Sequence, residues 1–350
     1  MSAVTSPSAG EGPRTSPGRT PRLANAPLLE VEHLYVRYPF LGPVRARLLG
    51  VESRFIDAVL DVSFSVQQGR TLALVGESGS GKSSLGRAIM GLTPIAAGSV
   101  RFEGQEPLKQ GPAALRAYRR NLAMMFQDPI SSLSPRRTVK SLITEPFVIH
   151  GLRERDLAQE AHRLLALVGL PKDFADRYPH QLSGGQARRV GVARAVALSP
   201  LLIIADEPTA GLDVSVQGEI LNLMTRLQRE LELAYIVITH NLAVVRHVSD
   251  EMAIMYMGRF VEHGPTQDVF AHAAHPYTRA LLDAQPVPDP DRRGEEVVLR
   301  GEIPSLARRP PGCEFHTRCP WVQERCRRER PAVQLLAPDH SHRCHYPLAS

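Results

Sequence analysis

Residues 28–75 show two hydrophobic patterns, one in which apolar and polar positions alternate and one that is continuously apolar. From Leu28 to Val36 apolar and polar positions alternate, which is typical of an edge strand with one exposed face. Residues 58–66 predict a second strand, and the Gly-, Pro- and Arg-rich stretch 42–54 indicates an inserted loop between the two. The run Thr71–Val75 is continuously apolar, so we expect a central strand that is buried on both faces.

Further along the chain the spacing changes to that of helices between strands. Apolar residues between 157 and 168 recur about every 3.6 positions, and Gly169 stands where that helix would end. Residues 201–205 and 234–239 are continuous apolar runs, with a helical pattern over 216–230 between them. Strand–helix–strand order predicts an α/β fold with a parallel sheet.

Charge and composition narrow the class of protein. Of the net charge of +6, residues 1–27 contribute +2 and residues 292–350 contribute +4, so the intervening 264 residues sum to zero. A face that binds nucleic acid is therefore not indicated. Residues 1–27 include five prolines and predict a disordered tail.

No apolar run reaches the roughly 18 residues of a membrane helix, and the N-terminus lacks the apolar stretch of a signal peptide. We expect a cytosolic protein that meets a membrane only through a partner.

A glycine-rich segment after the central strand predicts a phosphate-binding loop. Residues 76–83 fit G-x-x-x-x-G-K-[ST], and a helix is expected from Ser84. Glycines let backbone N–H groups surround phosphate oxygens, and the helix N-terminus adds partial positive charge. We expect Lys82 to reach the β- and γ-phosphates and the Ser83 hydroxyl to bind magnesium. The predicted nucleotide-binding residues are Gly76, Glu77, Ser78, Gly79, Ser80, Gly81, Lys82, Ser83 and Ser84.

An acidic pair at the end of another buried strand predicts the second half of this site. Asp206 directly follows residues 201–205 and is suited to holding magnesium. Glu207 is placed to polarise the attacking water as a general base. The alternative is that Glu207 only caps the following turn.

Further short segments fall in a characteristic order along the chain. They are Tyr38, Gln127, Leu182-Ser183-Gly184-Gly185-Gln186, Gly211-Leu212-Asp213 and His240. Together with the phosphate loop and the acidic pair, this series resembles the complete motif set of the ABC transporter ATPases over about residues 28–285. The resemblance implies an ABC-type P-loop NTPase of the α/β class, with a mixed sheet, a RecA-like core and a helical subdomain at about 128–190.

The same resemblance implies a role for each matching residue. Glu207, His240, Gln127 and Lys82 would be catalytic, and Ser83, Gln127 and Asp206 would hold Mg²⁺ beside ATP. Two ATPase domains would meet head to tail, so the signature of one covers the γ-phosphate bound by the other. The residues implied to bind the partner's nucleotide are Ser183, Gly184, Gly185 and Gln186, and Asp213 would bridge the two subunits at this nucleotide-binding interface. Tyr38 would stack on adenine, with Tyr35 and Phe40 as alternatives.

Several segments beyond these motifs resemble the oligopeptide/dipeptide importer branch of the family. They are residues 126–129, 132–136, 212–217, 275–278 and 310–313. The resemblance implies import of peptides or related solutes such as nickel chelates, at the cytoplasmic face of the membrane. Its implied partners are two membrane-spanning permease subunits, a second ATPase that is more often a relative than a copy, and an extracytoplasmic solute-binding protein. Residues 128–147 would receive a coupling helix of the permease. The sequence departs from the branch at Ser134, Ala187 and Asn241.

All four cysteines lie near the C-terminus, at positions 313, 319, 326 and 344. In a reducing compartment such a group favours a metal over disulfides. The spacing contains no C-x-x-C pair, which disfavours zinc, whereas iron–sulfur clusters accept looser spacing. The matching appendix of the importer branch holds a 4Fe–4S cluster, so the resemblance implies Cys313, Cys319, Cys326 and Cys344 as its ligands. Zinc and free thiols remain the alternatives.

The sequence therefore predicts a disordered tail at 1–27, an ABC ATPase domain at 28–285 and a C-terminal extension at 286–350. Three other functions compete with an ATP-driven importer. A soluble ABC ATPase acting on nucleic acid or ribosomes usually carries two cassettes or a coiled-coil insert, and this chain shows neither pattern. An exporter motor usually lacks the His275-Pro276-Tyr277 segment and the four-cysteine extension. An iron–sulfur module with a degenerate cassette is opposed by the intact Lys82 and Glu207.

Overall fold

The computed structural model describes these stretches of the chain: 26–39, 55–127, 133–152, 154–285 and 301–348. The expected inserted loop at 42–54 lies outside the described residues, as do the predicted tail up to residue 25 and residues 286–300 of the proline-rich segment.

The strands alternate with helices over most of the chain. The strands are β1 Leu29–Pro39, β2 Phe55–Val66, β3 Thr71–Val75, β4 Ile95–Phe102, β5 Leu122–Met125, β6 Leu202–Asp206, β7 Ala234–Thr239, β8 Glu251–Tyr256, β9 Arg259–Pro265, β10 Gln334–Ala337 and β11 His340–His342. The helices are α1 Lys82–Ile89, α2 Pro112–Arg120, α3 Val139–Ile149, α4 Leu157–Leu167, α5 Gly184–Val196, α6 Val214–Leu231, α7 Leu242–Val248, α8 Thr266–Ala271, α9 Pro276–Asp283 and α10 Glu324–Arg328.

The first strand is paired on both sides, so the prediction that it is an edge strand was wrong. β1 lies between β2 and β4 in an antiparallel sheet and bonds to each of them. Its apolar positions are buried and alternate with more exposed ones. The alternation reports that one face of the strand is covered. It does not report whether the strand has a neighbour on each side, because backbone pairing lies in the plane of the sheet.

Within the described residues a second, eight-stranded sheet is mixed and carries the nucleotide-site motifs. Its order is β10-β11-β9-β8-β3-β7-β6-β5. The strands from β5 to β8 in this order pair in parallel, whereas β9 and β11 pair antiparallel. All residues of β3 are buried between β7 and β8, as predicted. The architecture is the predicted α/β fold with a mixed sheet.

The helices begin and end where the sequence gives capping signals. The Asp156 carboxylate accepts the N–H of Ala158 and so starts α4, as an N-cap residue does. Gly169 follows that helix with φ of 71°, a conformation that glycine adopts without strain. The apolar face of α4 is fully buried against α3 and α5, as the spacing predicts, through Ala161, Leu164 and Leu165.

The order of the parallel strands places the phosphate loop, the acidic pair and His240 at one edge of the sheet. The phosphate loop follows β3, Asp206 ends β6, and His240 follows β7. Because β3, β7 and β6 are parallel neighbours, their carboxyl ends meet on the same side. Open α/β sheets bind ligands at this edge.

Candidate nucleotide site

The phosphate loop is held tightly against two neighbouring strands, and its glycines have a steric reason. At Gly81, φ is 108°, and a Cβ would lie 2.2 Å from the carbonyl oxygen of Ala58. At Gly76, a Cβ would lie 2.2 Å from the carbonyl oxygen of Met255. No other residue type fits at either position without moving backbone, so the loop can only have this shape with glycine at both ends.

The Lys82 side chain folds back over the phosphate loop toward its first residues. Its Nζ donates to the carbonyl oxygens of Gly76 and Glu77 at 2.7 and 2.8 Å and contacts Ser80 Oγ at 3.2 Å. Burial lowers the pKa of Lys82, and the carboxylates of Glu207, Asp206 and Glu77 act in the opposite direction. The three carboxylates thus favour the charged ammonium, which is the form that attracts a triphosphate.

Hard oxygen donors converge beside the loop. Asp206 is buried, its side chain hydrogen-bonds to that of Ser83, and burial raises the pKa of the carboxyl group. Gln127 lines the same cleft after β5. Hydroxyl, carboxylate and amide oxygens are the ligands that Mg²⁺ prefers. The donor set therefore fits the predicted magnesium ligands Ser83, Gln127 and Asp206.

Glu207 and His240 form a hydrogen-bonded pair at the ends of β6 and β7. Glu207 Oε1 lies 2.6 Å from His240 Nδ1, and Thr239 Oγ1 donates to Glu207 Oε2 at 3.2 Å. The backbone of Glu207 is left-handed, with φ of 49°, and its N–H donates to the carbonyl oxygen of Ile238. Strain of this kind gathers at functional sites. The carboxylate points to Thr239 and His240, which argues against the alternative that it only caps the following turn.

The loop opens into a cleft of about 430 Å³. Tyr38 from the end of β1 lines it and is half-buried, and its hydroxyl lies 3.4 Å from Thr93 Oγ1. This position fits an aromatic platform for a base; the alternative Phe40 lies outside the described residues. Leu306, from the C-terminal segment, lines the same cleft. Sequence reasoning did not connect that segment with the nucleotide site.

The signature segment is built as a capped helix start. Ser183 Oγ accepts the N–H of Gln186, and Gln186 Oε1 accepts the N–H of Ser183, which is a capping box. Ser183 and Gly184 are exposed. Among the described residues, those lining the cleft include none of the signature. Asp213 caps α6 by accepting the N–H of Val216 at 2.9 Å.

A buried arginine that sequence reasoning missed joins the signature helix to the catalytic loops. Arg188 donates to the carbonyl oxygens of Gln127, Glu207 and Ala210 at 3.1, 3.4 and 2.6 Å. A charged side chain this deeply buried needs several acceptors. The sequence gave little signal for this role, because Arg188 is one of three arginines in the same helix.

Two departures from the branch pattern have local structural reasons. Ala187 lies on the buried face of the signature helix, where a polar side chain would need a partner. Asn241 caps α7, because its side-chain oxygen accepts the N–H groups of Ala243 and Val244. Neither departure removes a group from the cleft.

The four cysteines are free thiols in the C-terminal segment, and burial raises the pKa of Cys313 to about 12 and that of Cys344 to about 11. Neighbouring thiols contribute to both shifts, so the cysteines lie near one another. Among the described residues, however, no group of three or more His, Cys, Asp or Glu side chains is arranged to hold a metal ion. The expected 4Fe–4S cluster is therefore not supported by the structure, and neither is zinc.

Comparison with known families covers both parts of the chain. Residues 59–210 match the ABC transporter family, and residues 261–326 match the C-terminal region of the oligopeptide/dipeptide transporters. The chain is 45% identical to the oligopeptide transport ATP-binding protein AppF of Bacillus subtilis, over 87% of this chain and 93% of AppF. It is 48% identical to the probable peptide ABC transporter ATP-binding protein y4tS of Sinorhizobium fredii, over 91% and 89% of the two chains. No helix of the described residues has the length and apolarity needed to cross a bilayer.

Solved structures agree with this assignment. The protein cbiO1 of Clostridium perfringens, part of the ABC transporter complex cbiONQ, superposes with a TM-score of 0.60 at 26% identity, covering 70% of this chain and 91% of its own. The ATP-binding cassette MJ0796, solved as a dimer with ADP and Pi, gives a TM-score of 0.58 at 26% identity, covering 68% and 98%. The chain therefore belongs to the ABC transporter ATP-binding proteins, in their oligopeptide/dipeptide branch, and is an ABC-type ATPase.

Proposed function

We propose that this chain is the ATP-hydrolysing subunit of a membrane importer for peptides or related solutes, acting at the cytoplasmic face of the membrane. The observation that carries the proposal is the joint arrangement of Lys82, Asp206 and the Glu207–His240 pair at one edge of the sheet. The branch to which the chain belongs, and the peptide-transport names of its relatives, support the solute class.

Each group in the cleft has a task in hydrolysis that its contacts support. Backbone N–H groups of the loop and the Lys82 ammonium bind the triphosphate. Ser83, Asp206 and Gln127 would hold Mg²⁺, which supplies charge neutralisation at the phosphates. The Glu207 carboxylate accepts a proton from the attacking water, and His240 fixes the orientation of that carboxylate through the 2.6 Å contact.

We further propose that two ATPase subunits share each nucleotide. The exposed helix start at Ser183 and Gly184 does not border its own cleft, and it is free to cover the γ-phosphate of a partner. Val214, beside Asp213, exposes 85% of its surface, which is unusual for a β-branched apolar residue and suits a contact surface. A related second ATPase is the partner we favour, as in the importer branch.

The permease would dock on the groove beside the helical subdomain. Part of the segment assigned to this contact, residues 128–132, lies outside the described residues. What supports the proposal is a cleft of about 420 Å³ lined by Phe126, Leu133, Pro146 and Ile149. Phe126 and Ile149 are 46% and 58% exposed, so an apolar face of a coupling helix would cover them.

The experiment that tests this function is reconstitution with the two permease subunits, the partner ATPase and the solute-binding protein in liposomes. We expect ATP hydrolysis that rises when peptide-loaded binding protein is added, and uptake of labelled peptide that stops with Lys82→Ala. A nickel chelate in place of peptide distinguishes the two solute classes. A rate of ATP hydrolysis that no loaded binding protein raises, or that rises only with nucleic acid, would refute the proposal.

Two finer expectations stay proposals within this function. The first is the division into an ATPase domain at 28–285 and an extension at 286–350: the ABC transporter match at 59–210 lies inside the first part, whereas the C-terminal match at 261–326 crosses the boundary. The second is the 4Fe–4S cluster, which rests on the resemblance to the importer branch alone, because the described residues hold no group of side chains arranged to bind a metal ion. Anaerobic purification followed by iron and sulfide analysis tests it, and a sample without either would remove the cluster from the account.

A further inference from the structure

The C-terminal segment makes a direct contact with the phosphate loop. Arg318 is 5% exposed and donates two parallel hydrogen bonds to Glu77, from Nη1 to Oε2 at 2.7 Å and from Nη2 to Oε1 at 3.0 Å. These residues are 241 positions apart in the sequence. A bidentate arginine–carboxylate pair fixes orientation as well as charge, because both groups are planar.

The backbone of the same loop residue is held by a second contact. The N–H of Glu77 donates to the Tyr277 hydroxyl at 2.9 Å. The Tyr277 ring packs against Phe315 with centroids 5.4 Å apart, and Phe315 comes from the C-terminal segment and is 1% exposed. Both the side chain and the backbone of Glu77 are therefore fixed by groups that this segment supplies or supports.

The negative charge of Glu77 is unfavourable for nucleotide binding unless the carboxylate is paired. A carboxylate in a phosphate-binding loop repels the triphosphate, and the Glu77 charge reaches Lys82 strongly enough to act on its pKa. Arg318 neutralises that carboxylate and fixes its direction, and Glu77 is not among the described residues that line the cleft. Without the arginine, the phosphate loop would keep a partly buried negative charge that has lost its partner.

We propose that Arg318 is a positioning residue for the phosphate loop, which acts through Glu77 to set the affinity of the site for MgATP. The C-terminal segment is then part of the nucleotide-binding machinery of this ATPase. The inference rests on the proposed function, because it assumes that the cleft binds MgATP.

The full-length chain with a fluorescent ATP analogue and Mg²⁺ provides the test. We expect Arg318→Ala to weaken nucleotide binding by about tenfold, the size of effect that follows from losing one charge-assisted contact. Arg318→Lys keeps the positive charge but not the two parallel hydrogen bonds, so its affinity for the nucleotide should lie between those of the wild type and Arg318→Ala. The double variant Glu77→Gln/Arg318→Ala removes the charge together with its partner, so its affinity should return toward that of the wild type.

Arg343→Ala is the matched control. Arg343 belongs to the same segment and binds Asp61 of β2 at 2.9 Å, away from the phosphate loop. A merely structural role predicts that Arg318→Ala and Arg343→Ala behave alike and that the double variant is no better than Arg318→Ala. Either result would overturn the inference. A wild-type chain that binds no nucleotide would refute the proposed function, and the inference with it.

Discussion

Replacing Glu207 by glutamine separates nucleotide binding from hydrolysis. The Glu207 side chain is 13% exposed and is held by Thr239 and by His240. Glutamine has the same shape and keeps an oxygen that can accept from Thr239, so we expect the loop at Glu207 to keep its conformation. The amide cannot take a proton from water, however. The loss of a general base costs about 10²–10⁴ in rate, or about 3–5 kcal/mol of barrier.

The assay compares phosphate release by the assembled transporter with MgATP affinity of the full-length chain. Glu207→Gln should hydrolyse ATP about 10²–10⁴ times more slowly and bind it at least as tightly as the wild type, since a negative charge near the phosphates is removed. Glu160→Gln is the control. Glu160 is similarly shielded at 15% exposure and bonds to Arg155 and Arg163 on the helical region, away from the cleft. Normal turnover by Glu207→Gln would refute the assignment of the base.

Two further predictions concern the loop and a buried histidine. Gly81→Ala should weaken MgATP binding by about tenfold or more, because its Cβ would meet the Ala58 carbonyl oxygen at 2.2 Å. Gly104→Ala is the control: Gly104 also has a positive φ, of 74°, but its Cβ would enter open space, so the affinity for MgATP should be unchanged. Burial lowers the pKa of His275 to about 4 from the ordinary 6.5. The folded chain therefore binds fewer protons than the unfolded chain between these values, so the free energy of unfolding falls as pH drops from 6.5 toward 4, by about 3 kcal/mol in total. In His275→Asn the asparagine side chain can still accept the N–H of Tyr277. The free energy of unfolding, measured with denaturant, should then depend less on pH between 6.5 and 4. An unchanged slope over this range would contradict the reasoning.

Local features of the chain could be predicted well from the sequence. The continuous run of β3 has no polar position to expose, so its burial between two strands follows directly from the pattern. The phosphate loop is likewise determined by neighbouring residues, and so is the capping box at Ser183. The edge-strand prediction for β1 failed because alternation records burial of a face and carries no information on pairing partners.

Contacts between distant parts of the chain could not be predicted. The Arg318–Glu77 pair and the insertion of Leu306 into the cleft depend on the path by which the C-terminal segment returns to the sheet through β11. Arg188 gave only a weak signal, since its acceptors are carbonyl groups that exist in that place only after folding. The cysteine spacing fixed no ligand geometry either, because spacing limits distances along the chain and not the directions of the thiols.

In the proposed mechanism two ATPase subunits together complete each nucleotide site. Ser183→Arg places a bulky cation at the exposed helix start without touching the chain's own cleft, and the equivalent serine is changed in the partner ATPase of the reconstituted transporter. The measurement is the rate of ATP hydrolysis by this assembly, together with the MgATP affinity of the isolated Ser183→Arg chain. We predict that hydrolysis is lost while the affinity of the isolated chain is unchanged. Normal hydrolysis by the doubly substituted assembly would contradict the account, and so would an isolated Ser183→Arg chain that no longer binds MgATP.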